Sequence, residues 1–213
     1  MRFILAICVF IVAIFSERCT ICSCKQVPCP AFNDSDFAKW FPYAGGEILI
    51  FQNASAFDTI NIGGVQKSSS YDANQGCSSG NNGCTASCTI STDDLSPAFV
   101  RKLQVTISTV TPFGSNQPTR QINLAFYELS CMANGLADTG LVEIHSIDSI
   151  SHFTSNYYSS MNIGGHAFNS VQLIEMDTSS TSKYSGPYKI FLAKNAGIVA
   201  YETYPDVKLW TKQ

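Results

Sequence analysis

The stretch "KLQVTISTV", Lys102–Val110, decides the fold. Leu103, Val105 and Ile107 alternate with Gln104, Thr106 and Ser108, and a period of two sets one group on one face of a strand and the other group on the opposite face. Seven further runs share its character: "EILIFQN" from Glu47, "DTINIGG" from Asp58, "QINLAFYEL" from Gln121, "GLVEIHSI" from Gly140, "SVQLIEM" from Ser170, "KIFLAK" from Lys189 and "GIVAYETY" from Gly197. Each is short, rich in Ile, Val, Thr, Phe and Tyr, and bounded by Asn, Gly, Ser or Pro. Parallel pairing needs a long crossover, usually a helix, and no amphipathic segment of that length separates these runs. The expectation is a mainly β protein, an antiparallel sandwich or strongly curved sheet, with few or no long helices.

The tetrapeptide "NIGG" occurs at Asn61–Gly64 and again at Asn162–Gly165. Both copies read as turns, where glycine supplies the positive φ of a tight hairpin. The most regular region is the C-terminus, "KIFLAKNAGIVAYETYPDVKLW": a strand, a turn over Lys194–Gly197, a second strand and a last short strand ending near Trp210.

With 213 residues and 45% hydrophobic content, the chain is long enough for one sizeable core, placed over residues 46–213 as a single antiparallel β domain. Charged residues are only 14%, against roughly 25% in an average soluble domain, and Ser, Thr and Asn supply about a quarter of the chain. The surface is polar but weakly charged. A formal net charge of -3 without a Lys/Arg cluster gives no basic footprint for phosphates, so nucleic acid is excluded as a partner.

Upstream, Arg2 precedes an unbroken apolar run from Phe3 to Phe15. A spanning helix needs about 20 apolar residues and a secretory signal about 7 to 15 behind a basic start, so residues 1–23 read as a signal peptide. Export changes how "ERCTICSCKQVPC" (Glu17–Cys29) is read, because metal and redox cysteines sit inside a folded domain next to groups that fix their geometry. Residues 24–45 read as a tether that then docks. Pro28, Pro30 and Pro42 forbid a long helix there, with room for one short turn started by Asp34 or Ser35. The aromatic cluster Phe32, Phe37, Trp40, Phe41 and Tyr43 is expected to fix that segment onto the core.

Ile21, Cys22, Ser23 and Cys24 resemble a bacterial lipobox, with Ser23 as the small residue immediately before the lipidated cysteine. The C-terminal pattern Phe191, Lys194, Gly197, Ile198, Val199 and Tyr201, followed by the late Trp210, is similar to the closing hairpin of small envelope lipoproteins of the Bacteroidota type. The resemblance implies lipidation at Cys24, a membrane partner through that anchor, and an outer-membrane location. No acidic residue follows in "CKQVPCPAF", which favours the periplasmic face. It also implies short O-glycosylation acceptors at Asp58-Thr59-Ile60 and Asp148-Ser149-Ile150, with Thr59 and Ser149 as the modified residues. In an oxidising envelope Cys77, Cys84, Cys88, Cys131 and Cys29 are disulfide candidates, connectivity open, with Cys29 the odd thiol.

No GxSxG elbow, HExxH, P-loop or GxGxxG occurs. His145, His152 and His166 fit no zinc spacing, and Asp72 and Asn74 begin a calcium-like loop whose twelfth position is Gly83. Glu47 and Glu128 are the carboxylate pair considered for glycoside chemistry, with ordinary solvent-facing acids as the simpler reading. The expectation is therefore a non-catalytic, lipid-anchored envelope protein, without cofactor or metal, that binds a protein, glycan or apolar ligand or serves as a structural component. A carrier of lipid in a curved-sheet cavity and a hydrolase with a non-standard site are the alternatives.

Overall fold

A computed structural model describes residues 32–71, 84–94, 101–111, 119–147, 152–179 and 184–213. These residues form one short helix, α1 (Ser35–Trp40), and twelve strands. The strands are β1 (Ile48–Asn53), β2 (Ala56–Tyr71), β3 (Cys84–Thr92), β4 (Leu103–Thr111), β5 (Thr119–Phe126), β6 (Leu129–Ala137), β7 (Gly140–Ser146), β8 (Phe153–Ile163), β9 (His166–Met176), β10 (Gly186–Ala193), β11 (Gly197–Tyr204) and β12 (Lys208–Lys212). Every strand pairs antiparallel with its neighbours, in the order β7-β6-β5-β4-β3-β2-β1-β12-β11-β10-β9-β8. The result is an up-and-down sheet rolled into a nearly closed barrel, the strongly curved alternative of the sequence reading.

The alternation in β4 works as expected. Leu103, Val105 and Ile107 are fully buried and lie opposite Phe126, Leu124 and Ile122 of β5. On the other side Val105 and Ile107 lie opposite Ile90 and Cys88 of β3. Such inward rows from both halves of the sheet merge into one core that fills the interior, which is how a barrel of modest size is stabilised.

β2 joins the two halves. Its first part pairs with β1 and its second with β3, and the register steps between Ile62 and Gly64. A bulge there re-aims the strand, and Gly63 leaves room for the Asp93 carboxylate, 2.4 Å from where a Cβ would stand. Asn61–Gly64 is thus a bend within a strand and not the expected turn. The second "NIGG" copy does turn, between β8 and β9, with φ 59° at Gly164 and 87° at Gly165. Positive φ at Ser170, 54°, sends that hairpin out of the sheet. Its tip crosses the outer face so that Gly164 abuts Thr211 of β12, and Met161, Ile163 and Phe168 join Phe191 and Val199 in a second, outer apolar cluster.

The barrel closes in two ways. β1 and β12 pair through their backbones, with Phe51 opposite Lys212 and Gln52 opposite Thr211. At the seam, where β7 and β8 are in contact, a side chain substitutes for a strand. Gln172 of β9 accepts from Leu141 N (2.7 Å) and donates through Nε2 to Leu141 O (2.8 Å) and to Ser155 Oγ (2.8 Å). Its primary amide meets the Leu141 peptide as a neighbouring peptide would, satisfying two buried groups. A Cβ at Gly140, φ 97°, would lie 2.2 Å from Gln172 Oε1, so glycine is required beside this amide.

One end of the barrel is plugged by α1. Asp34 caps the helix by accepting from Asp36 N (3.1 Å) and Phe37 N (3.0 Å) through one oxygen, while its other oxygen faces Arg120 Nε at 3.1 Å. Phe32, Phe37, Trp40, Phe41 and Tyr43 are all buried in the main core, as expected of the docking segment. Trp40 Nε1 donates to Ala137 O (3.1 Å), and the Tyr43 hydroxyl accepts from Ile198 N (2.7 Å). Each large side chain sealed this way contributes about 1.5–3 kcal/mol.

The cysteines correct one expectation. Cys88 and Cys131 are free, buried thiols. They stand on β3 and β6, three strand spacings of about 4.8 Å apart along the sheet, whereas a disulfide holds Cα atoms within about 7 Å. Both face the core as small apolar groups, and burial pushes the Cys131 thiol up to about 12. Cys84 is described as backbone only, at the start of β3; Cys24, Cys29, Cys77, Asp72, Asn74, Asp148 and Ser149 lie outside the described residues.

Candidate functional site at the barrel mouth

The end opposite the plug is open, and the cavity there measures about 730 Å³. Its floor is an aromatic layer. Tyr201 makes edge-on contacts with Phe51 and Phe126, ring centroids 5.2 and 5.1 Å apart, and stacks on Trp210 at an interplanar angle of 6° and a centroid distance of 5.9 Å. The strands impose this arrangement: Tyr201 and Trp210 are direct cross-strand partners on β11 and β12, and cross-strand aromatic pairs on one face of a sheet reinforce each other. Phe57, at the start of β2 and 63% exposed, stands on the rim.

Asp58 lies at the centre of the floor, opposite the fully buried Phe51 across the β1–β2 pair. The register therefore turns its carboxylate inward. It accepts from the hydroxyls of Tyr127 and Tyr201, the latter at 2.8 Å, and from Lys102 Nζ at 3.0 Å. Lys102 also donates to Thr59 O (2.8 Å) and lies 5.9 Å from the centre of the Tyr127 ring. Tyr127 sits in the β5–β6 turn at φ 53°, a conformation that costs an aromatic residue about 1 kcal/mol or more. Its hydroxyl reaches Asp58 from that position. A carboxylate in low dielectric is tolerable only with such partners.

The electrostatics follow from burial. Desolvation, with the adjacent Asp58 carboxylate adding to it, pushes the hydroxyls of Tyr127 and Tyr201 far above the ordinary tyrosine value. Both remain protonated donors at any physiological pH. The Asp58 carboxylate is engaged by three donors, and Lys102 is held as its counter-ion. The arrangement is an aromatic surface with a polar centre. The indole N–H of Trp210 is buried and has no hydrogen-bond partner among the described residues.

The residues singled out from sequence fall elsewhere, with one exception. Glu47 precedes β1 at the plugged end, where its carboxylate accepts from Ala44 N (3.2 Å), while Glu128 stands in the β5–β6 turn and lines the mouth. The pair is split between opposite ends, and only Glu128 is near the cavity. His145 ends β7 with Nε2 3.3 Å from Asn134 Nδ2, and His152 precedes β8, whereas His166 lies at the other end of the hairpin. No group of three or more potential metal ligands occurs among the described residues. Thr59 is exposed on β2 beside Asp58.

Asp58, Lys102, Tyr127, Tyr201, Phe57 and Trp210 were not singled out from sequence as a site. One signal was present. In "FDTINI", Phe57–Ile62, the fully buried Ile60 and nearly buried Ile62 share the parity of Asp58, so a charge stands on the apolar face of an alternating strand. Its partners come from three distant turns and strands, and only the closed sheet brings them together. Comparison with protein-family models, with curated proteins and with solved structures finds no match for the chain.

Proposed function

We propose that the chain is an exported, lipid-anchored envelope protein whose barrel is non-catalytic and binds a ligand at its open mouth. The observation that carries this reading is the polarity of the barrel. The chain enters at the plugged end, with Phe32 and α1 sealing it, and the cavity opens at the other. Phe32 lies only eight positions after Cys24, a reach of at most about 28 Å. An anchor at Cys24 would hold the plugged end toward the bilayer and leave the mouth facing the aqueous compartment. Two acyl signals on one terminus give durable membrane attachment. The filled interior supports ligand capture at the mouth in preference to storage along the barrel. A saturated Asp58 and two strongly protonated tyrosines support binding over catalysis. Thr59, exposed near this mouth, is proposed as an O-glycan acceptor.

Intact-mass and peptide mass spectrometry of the protein purified from its native membrane tests the anchor. The expected result is an N-terminal Cys24 carrying acyl chains, lost together with membrane association in Cys24→Ser. An unlipidated terminus upstream or downstream of Cys24 refutes it.

A further inference from the structure

Resting on the reading of the mouth as a binding site, we infer that its ligand is an uncharged oligosaccharide, one sugar ring lying against Trp210 with Phe57 at the rim. The first argument is shape. The Trp210 ring is stacked almost parallel on Tyr201, so its plane is fixed before a ligand arrives, and preorganisation of this kind lowers the cost of binding. Phe57 is 63% exposed at the rim, a large apolar ring that folding alone leaves in water. A pyranose presents a flat C–H face to such rings and hydroxyls at its edge. That combination matches a mostly apolar pocket with a few placed polar groups, and about 730 Å³ lies within the roughly 300–1,000 Å³ common for such sites.

The second argument is charge. Among the described residues the charged side chains lining the cavity are Asp58, Glu128 and Lys102. Lys102, the one cation among them, is bound to Asp58 and to the Thr59 carbonyl, so these described residues offer a phosphate, sulfate or uronate no unengaged cation. Asp58 already accepts from three donors, which removes the strongest attraction for a cationic ligand. A fatty chain would require a dry apolar channel, but beneath the mouth stand a carboxylate and two hydroxyls, and below them a filled core. Neutral hydroxyls can bond to this surface without an uncompensated charge.

The test uses the full-length, lipidated protein in detergent, titrated with maltohexaose, cellohexaose and chitohexaose, with oligogalacturonate as the anionic probe and cis-parinaric acid as the apolar one. The chain holds two tryptophans and Trp40 is sealed in the plug, so a change in tryptophan emission reports Trp210. Saturation-transfer NMR on the sugar protons confirms contact. At least one neutral hexaose is expected to bind saturably, with affinity falling tenfold or more in Phe57→Ala and in Trp210→Leu and unchanged in Ile48→Ser. Ile48 is exposed on β1 at the opposite end of the strand from the mouth, and exposed Phe57 can be truncated without unfolding the chain. Failure of every neutral hexaose to bind overturns the sugar class. Binding of oligogalacturonate or parinaric acid alone, lost in Phe57→Ala, overturns the sugar class and leaves the mouth reading standing. Neutral-sugar binding that is indifferent to both aromatic substitutions overturns the mouth reading itself.

Discussion

The two ends of the barrel each contain a tryptophan and a tyrosine hydroxyl, and they use them differently. At the plug, Trp40 is fully buried and its N–H is bonded to Ala137 O, and the Tyr43 hydroxyl accepts from Ile198 N. Every polar atom of these rings is spent within the fold. At the mouth, Trp210 is partly exposed with an N–H that lacks a protein partner among the described residues, Phe57 projects into water, and the hydroxyls of Tyr201 and Tyr127 hold a carboxylate in place. The same residue types complete the core at one end and present a surface at the other. The contrast predicts that substitutions at the plug cost stability, whereas substitutions on the mouth surface cost recognition.

Trp40→Ala breaks the comparison most severely. Removing a fully buried tryptophan should lower unfolding free energy by about 3–5 kcal/mol, read as a shift in the denaturant midpoint with an unchanged slope. A loss below about 1 kcal/mol would mean that the helix is dispensable and that the two ends are alike. Next in size is Gln172→Leu at the seam between the ends. It keeps the bulk but leaves Leu141 N–H and C=O without their partner, at about 1–3 kcal/mol for each buried group. The Leu141 amide should then lose hydrogen-exchange protection before the rest of β7. Equal protection in both proteins would show that β8 closes the seam unaided.

How far the sequence could be read follows from the same physics. β4, β5, β9 and β11 were legible because Val, Ile, Leu and Phe alternate there or run together. β3, "CTASCTIST", has too weak a pattern to read, because only Ala86, Cys88 and Ile90 face inward among Ser and Thr. β8, "FTSNYYSSMNI", buries only Ile163, so an edge strand with both faces wet has no pattern to betray it. β6 hides behind Asn134 and Gly135. The plug aromatics were readable because they crowd within twelve residues, Phe32–Tyr43. The mouth was not, since Asp58, Lys102, Tyr127 and Tyr201 span more than 140 positions and converge only through barrel closure.

Alkaline pH sharpens the contrast further. Burial raises Tyr43 at the plug, and burial with Asp58 raises Tyr127 and Tyr201 at the mouth, all from an ordinary value of 10.0. A raised folded value means that the unfolded chain loses its proton first. These three groups therefore contribute stability fully below pH 10, and that stability falls as pH rises above it. Each contributes a slope of about 1.4 kcal/mol per pH unit. Tyr43→Phe should flatten the fall by one such share and Tyr127→Phe with Tyr201→Phe by two, followed as denaturant midpoints between pH 9 and about 11.5 together with phenolate absorbance. Identical slopes in all variants would show that these hydroxyls ionise without unfolding.

The smallest expected effect on stability is the most discriminating. Phe57 and Phe51 lie on adjacent strands near the mouth, one beside Asp58 in sequence and the other opposite it in the sheet. Phe51 is fully buried against Phe126 and Tyr201, so Phe51→Ala belongs with the plug, at about 3–5 kcal/mol. Phe57→Ala removes a ring that is 63% exposed and should leave the melting curve within about 0.5 kcal/mol of the parent. If Phe57→Ala instead destabilised the barrel by 2 kcal/mol or so, the ring would be part of the core, and the mouth would differ from the plug only in degree.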